Sequence, residues 1–178
     1  VGIFVYVAAQ TGVNSFFINY AVESAGIDRG DASLILGFGG MGLFFAGRML
    51  GSWIMQYIRA ERLLAVLALV AAHCSMLVVA SPGRVGFTAL LIVYFCESIM
   101  FPTIFALALR GLGRRTKIAS SLLIMGIVGG AVAPVLMGLI ADHSSMAYGF
   151  IVPLVCFFII AAYGGFVARR SARAKHRK

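Results

Sequence analysis

Polar positions divide the chain into six apolar stretches, roughly 1–22, 34–57, 63–80, 85–109, 118–141 and 150–168. Within each, apolar residues run continuously, and each stretch is near the ~20 residues an α-helix needs to cross the hydrocarbon core of a bilayer. A membrane β-barrel would show alternation instead, and open backbone is not tolerated in lipid, so the pattern predicts helices. The connectors are short and polar: Glu23 to Ser33, Arg59 to Arg62, Ser81 to Arg84, Arg110 to Lys117 and Asp142 to Gly149. Their glycine, proline, serine and charge usage is that of turns. The expected fold is an all-α polytopic membrane protein, with six transmembrane helices in one bundle over 1–168 and a basic cytoplasmic tail over 169–178.

Composition agrees. The 178 residues are 61% hydrophobic and 12% charged, where soluble domains are about half apolar and about a quarter charged. Six spans leave no room for a soluble catalytic domain. The net charge of +9 would suggest nucleic acid in a soluble protein, but here the basic residues flank apolar runs and report topology, so no nucleic-acid partner is expected. Arg59, Arg62, Arg110, Arg114, Arg115, Lys117, Arg169, Arg170, Arg173, Lys175, Arg177 and Lys178 fall in the second connector, the fourth connector and the tail, whereas the other connectors hold Arg29 and Arg84 alone. Basic residues near span ends stay on the cytoplasmic side, which puts both chain ends in the cytoplasm of a multi-pass cell-membrane protein. The tail could also meet anionic lipid head groups, although the topology rule already accounts for it. Val1 opens inside an apolar stretch with neither an initiator Met nor the basic start of a signal peptide, so the chain is expected to be cut from something longer.

Candidate chemistry lies in the few polar residues that fall at membrane depth, where such groups usually face a cavity or a partner. Gln10 and Asn14 stand four apart on one face of the first span. Glu97 lies in the fourth span, about twelve residues or roughly 18 Å from one end at helical rise. Tyr94 and Phe101 flank it at three before and four after. A carboxylate, an amide pair and aromatic faces are what a sugar site needs, because carboxylate and amides bond hydroxyls while a ring covers the apolar side of the sugar. The alternative is that the amides bond neighbouring helices and Glu97 is neutral or paired; proton coupling by Glu97 is open as well. His73 is alone in its span and is expected to be a hydrogen-bonded packing residue. Arg48 can snorkel to the interface that Trp53 marks. Cys74, Cys96 and Cys156 show no paired or metal-ligating spacing, so no disulfide, metal or cofactor is expected. Gly47 with Gly51, and Gly126 with Gly130, have the spacing that lets helix backbones approach, and Pro102 and Pro134 interrupt the ladder within spans.

Several of these segments are similar to a known family. Gly47-Arg48-Met49-Leu50-Gly51-Ser52-Trp53, the run from Glu97-Ser98-Ile99-Met100-Phe101-Pro102-Thr103 to Leu107, Arg110-Gly111-Leu112-Gly113 and Thr116-Lys117 resemble the C-terminal half of the fucose–galactose–glucose:proton symporters of the major facilitator superfamily. The opening from Tyr6 to Phe16 looks like that family's seventh helix, and Gly129-Gly130 with Pro134 and Gly138 like its eleventh. The resemblance implies one half of a twelve-helix transporter working by alternating access, with a central monosaccharide site shared between halves and a proton as co-substrate. It further implies that Gln10, Asn14 and Glu97 line the cavity, that Arg48 belongs to a charge latch, and that an N-terminal half holding the proton-coupling carboxylate is missing here. Glu97 departs from the family, whose members often carry an uncharged residue at this position.

Two other readings compete. A non-transporting membrane subunit would have much the same sequence. An intramembrane enzyme would need a nucleophile with its base, or metal ligands, on facing helices, and neither GxSxG nor HExxH occurs.

Overall fold

The computed structural model describes residues 1–175, with side chains through residue 172. Six helical stretches account for nearly all of it. Helix α1 spans Gly2–Ala25 and ends at Gly26, whose φ of 65° is the left-handed conformation that closes helices without a side-chain penalty. Helix α2 runs over Arg29–Ile54. It starts four residues before the last polar position of its predicted connector because Asp28 caps it, accepting a hydrogen bond from the Gly30 backbone N–H at 2.8 Å. Helices α3 (Ala60–Ala80) and α4 (Arg84–Leu109) match their predicted runs closely, and α4 continues through Pro102. Helix α5 covers Gly113–His143, beginning earlier than expected with the tight turn Gly113–Arg115. Helix α6 covers Met146–Ala172 and continues to Lys175; the remaining basic residues of the tail, Arg177 and Lys178, lie outside the described residues, as does His176.

Five of these helices, α2 to α6, are long and apolar enough to cross a membrane. Helix α1 has 24 residues, or about 36 Å at helical rise, so length does not set it apart. Its polar interruptions do: Gln10, Asn14 and Asn19 all fall within it. Two of them, Gln10 and Asn14, are the residues that mark α1 as a candidate site wall.

Helix α1 packs against α4, α5 and α6, while α3 lies against α4 and α6, and α2 rests on α4. Aromatic side chains fill the centre, with Tyr6, Phe17, Tyr20, Tyr94, Phe150 and Phe157 fully buried. Lipid is as apolar as the core, so association here rests on close packing, which small residues permit. At the α2–α4 crossing a Cβ on Gly47 would stand 2.7 Å from the Phe95 carbonyl oxygen, and one on Gly51 would overlap the Ile99 side chain. At the α1–α5 crossing a Cβ on Gly130 would meet Thr11 Oγ1 at 2.7 Å. Both predicted glycine pairs therefore sit in close helix contacts.

Two helices are not regular throughout. The turn Ile35–Gly40 of α2 is wound as a π-helix, and Gly126–Val128 of α5 tightens to a 3₁₀ turn just before Gly129-Gly130. Such irregular turns are frequent where a helix bends or serves a site. The expectation for His73 needs correcting: it is exposed on the face of α3 opposite Ala71, Ser75 and Val78, which are buried. Helical periodicity turns it away from the described helices that pack against α3.

Candidate functional site

The α1–α4 contact joins three of the six candidate residues, Gln10, Asn14 and Tyr94, in one hydrogen-bonded chain and places Glu97 beside it. Tyr94 donates its hydroxyl to Asn14 Oδ1 at 3.0 Å, and Asn14 Nδ2 donates to the Gln10 backbone carbonyl at 2.8 Å. One polar chain therefore links the two helices. Phe17 stands edge-on to Tyr94 with ring centroids 5.4 Å apart, which fixes the tyrosine ring. Glu97 follows Tyr94 by three residues, so it sits about one turn further along the same face of α4.

Glu97 stands out among the described residues. It is completely buried, and neither carboxylate oxygen has a hydrogen-bond partner among the described residues. Burying a polar group unpaired is costly, and burying an isolated charge far more so. A carboxyl kept there therefore implies a proton or a ligand that satisfies it. Its surroundings are held by Tyr6, whose hydroxyl donates to the Glu97 backbone carbonyl at 2.9 Å. Phe101 is half-buried, with its ring 5.9 Å from that of Tyr6 and stacked on Phe105 at 6.2 Å.

The Tyr94 ring is buried and its hydroxyl is engaged by Asn14. Phe101 retains an accessible ring. Arg48 is not part of this group. It is exposed on α2 and lines a recess of 390 Å³ with Phe45, Met49, Ser52, Trp53 and Gln56.

Two residues went unnoticed in the sequence. Tyr6 has no signal beyond lying one turn before Gln10. Glu61 has a better one: it is the lone acid between Arg59 and Arg62 at the start of α3. Its side chain is 3% exposed and pairs with Arg59 at 2.9 Å and with Arg110, at the end of α4, at 3.9 Å. These ion pairs tie the α2–α3 connector to the far end of α4, and Arg48 takes part in neither. Among the described residues no group of three or more His, Cys, Asp or Glu is placed to hold a metal ion, and Cys74, Cys96 and Cys156 are free thiols.

No family model matches the chain. It is 39% identical over 166 residues to a glucose/galactose transporter of Brucella abortus and 36% identical over 165 residues to the L-fucose-proton symporter of Escherichia coli, each alignment covering 92% of this chain. These stretches are 40% and 37% of the two relatives, so the chain spans well under half the length of the curated relatives it matches. The crystal structure of a major facilitator superfamily transporter, FucP, in the outward conformation superposes with a TM-score of 0.90 at 35% identity, covering 93% of this chain and 40% of that one. The relatives are transporters, not enzymes. With this identity carried along nearly all of its helices, the chain belongs to the major facilitator superfamily, as a homologue of its sugar transporters with the fold of a C-terminal half.

Proposed function

We propose that this chain is the C-terminal half of a proton-coupled monosaccharide transporter that works by alternating access, with a sugar of the fucose, galactose or glucose kind as substrate. The observation that carries the reading is the unpartnered Glu97 carboxyl beside the Asn14–Tyr94 bond. Glu97, enclosed in this structure, accepts sugar hydroxyls when the cavity opens, the Gln10 and Asn14 amides bond others, Tyr94 holds Asn14 in place, and Phe101 covers the apolar face of the ring. Helix α1 is the sixth span, with its polar face turned to the transport path rather than to lipid.

The reading requires an N-terminal half. Helices α2 and α5 are the least buried of the five apolar helices, and Phe38, Phe45 and Trp53 on α2 and Leu122, Met125 and Val135 on α5 are all exposed. A second half covering part of those faces completes the cavity and supplies the main proton-coupling carboxylate. Alternating access moves the halves against each other, with the π turn of α2 and the 3₁₀ turn of α5 giving way. Arg48 takes part in the latch between states. The Arg59, Arg62 and Arg110 end faces the cytoplasm, and so do both ends of this chain.

Calorimetric titration of the complete protein with L-fucose, D-galactose and D-glucose tests the site. Binding of at least one, weakened by Asn14→Ala with folding retained, supports it. A folded protein that binds none of the three leaves the chain as a non-transporting membrane subunit.

A further inference from the structure

A groove of 620 Å³ runs between α3 and α6, sharing no lining residue with the α1–α4 site. That volume falls within the roughly 300–1,000 Å³ of small-molecule sites. Its walls are apolar, with Leu69 on α3 and Phe158 and Phe166 on α6, all three exposed. The two helices approach closely at Gly164, where a Cβ would stand 3.0 Å from the Ala65 backbone nitrogen, whereas the next residue, Gly165, has no atom within 4 Å of its Cβ position. Gly165 therefore leaves the slot empty where any side chain would fill it.

The polar groups are gathered at one end. Arg169 lines the groove one helical turn beyond Gly165. Arg170 holds its guanidinium 4.8 Å above the Phe166 ring, a cation–π contact. Arg62, exposed, precedes Ala65 by about one turn and so lies at the same end. Among the described residues neither Arg62 nor Arg169 has a carboxylate partner, because the nearby acid, Glu61, is engaged by Arg59 and Arg110. The groove is thus an apolar slot open toward the surroundings of the bundle and closed at one membrane face by unneutralised guanidinium groups.

We propose that this groove binds an anionic phospholipid, one acyl chain lying along Gly165 between Phe158 and Phe166 and the phosphate head group held by Arg169 and Arg62. The match of charge sets the occupant: a zwitterionic or neutral lipid leaves the arginines unanswered, and guanidinium is the side chain best fitted to phosphate oxygens. Basic pockets between helices at a membrane face are the form such lipid sites take.

Native mass spectrometry of the complete protein, titrated with phosphatidylglycerol or with phosphatidylcholine, provides the test. Phosphatidylglycerol is expected to be retained preferentially. Arg169→Gln should weaken its binding about fivefold, the factor that one basic residue near an anionic surface carries, and leave phosphatidylcholine unchanged. Gly165→Leu should displace both lipids while leaving the thermal unfolding midpoint and sugar binding as they were, since the added side chain enters open space. Equal retention of the two lipids overturns the head-group assignment. Phosphatidylglycerol binding to the Gly165→Leu protein at wild-type strength overturns the groove. Neither result bears on whether the protein carries sugar.

Discussion

Replacing Glu97 by Gln removes the ionisable group and keeps the shape. The fully buried carboxyl has no hydrogen-bond partner on either oxygen, so the substitution breaks no contact within the protein. Taking an uncompensated ionisable group out of a buried position is neutral or stabilising, and the thermal unfolding midpoint should stay level or rise. Binding should fall instead. A hydrogen bond to a charged group is worth about 1.5–3 kcal/mol and one between neutral groups about 0.5–1.5 kcal/mol. The difference of about 1–1.5 kcal/mol corresponds to a loss of roughly five- to tenfold in sugar affinity. Glu97→Ala, which gives up the whole interaction, should lose more than Gln does. The measurement is calorimetric titration across a series of pH values, paired with thermal unfolding of each variant. If Glu97 takes up a proton in the cycle, the pH dependence of binding should flatten in the Gln protein. Wild-type affinity and an unchanged pH profile in Glu97→Gln would refute the assignment. So would a fall in the unfolding midpoint with binding retained, since that would make Glu97 a structural group.

Other outcomes follow from the same contacts. Tyr94→Phe removes the hydroxyl bonded to Asn14 at 3.0 Å and should cost about 0.5–1.5 kcal/mol of sugar binding through a misplaced amide, seen as weaker affinity with an unaltered preference among sugars. Gly51→Val drives a branched side chain into Ile99 and should destabilise the α2–α4 crossing by about 1–3 kcal/mol, lowering the unfolding midpoint. Arg48→Ala should slow turnover in exchange assays more than it weakens binding; normal turnover would make Arg48 an interface anchor.

The spans were legible because continuous hydropathy is a signal independent of tertiary context, and the close crossings were legible from Gly47, Gly51, Gly126 and Gly130. Helix ends were read less well. Asp28 caps α2 and pulls its start back into a segment that looks like a loop, and the tight turn Gly113–Arg115 extends α5 backward in the same way. The irregular turns at Ile35–Gly40 and Gly126–Val128 were not predictable, since glycines permit such windings without demanding them. In the site, polarity at depth singled out Gln10, Asn14 and Glu97. The pairing of Asn14 with Tyr94 needed the packing angle of α1 on α4, which no local pattern encodes. Glu61 was overlooked because a lone acid among arginines reads as a surface charge until the chain ends of α3 and α4 are brought together. His73 misled for the reverse reason: its polarity suggested a partner, while its phase on α3 faces it outward.

Sugar uptake by the complete protein in proteoliposomes under an imposed pH gradient tests the central claim most directly. The account predicts that fucose, galactose or glucose accumulates above its equilibrium level when the outside is acidic, and that accumulation collapses when a protonophore dissipates the gradient. Uptake that is indifferent to the gradient would contradict proton coupling, and a folded, reconstituted protein that moves none of these sugars would contradict the transport assignment itself.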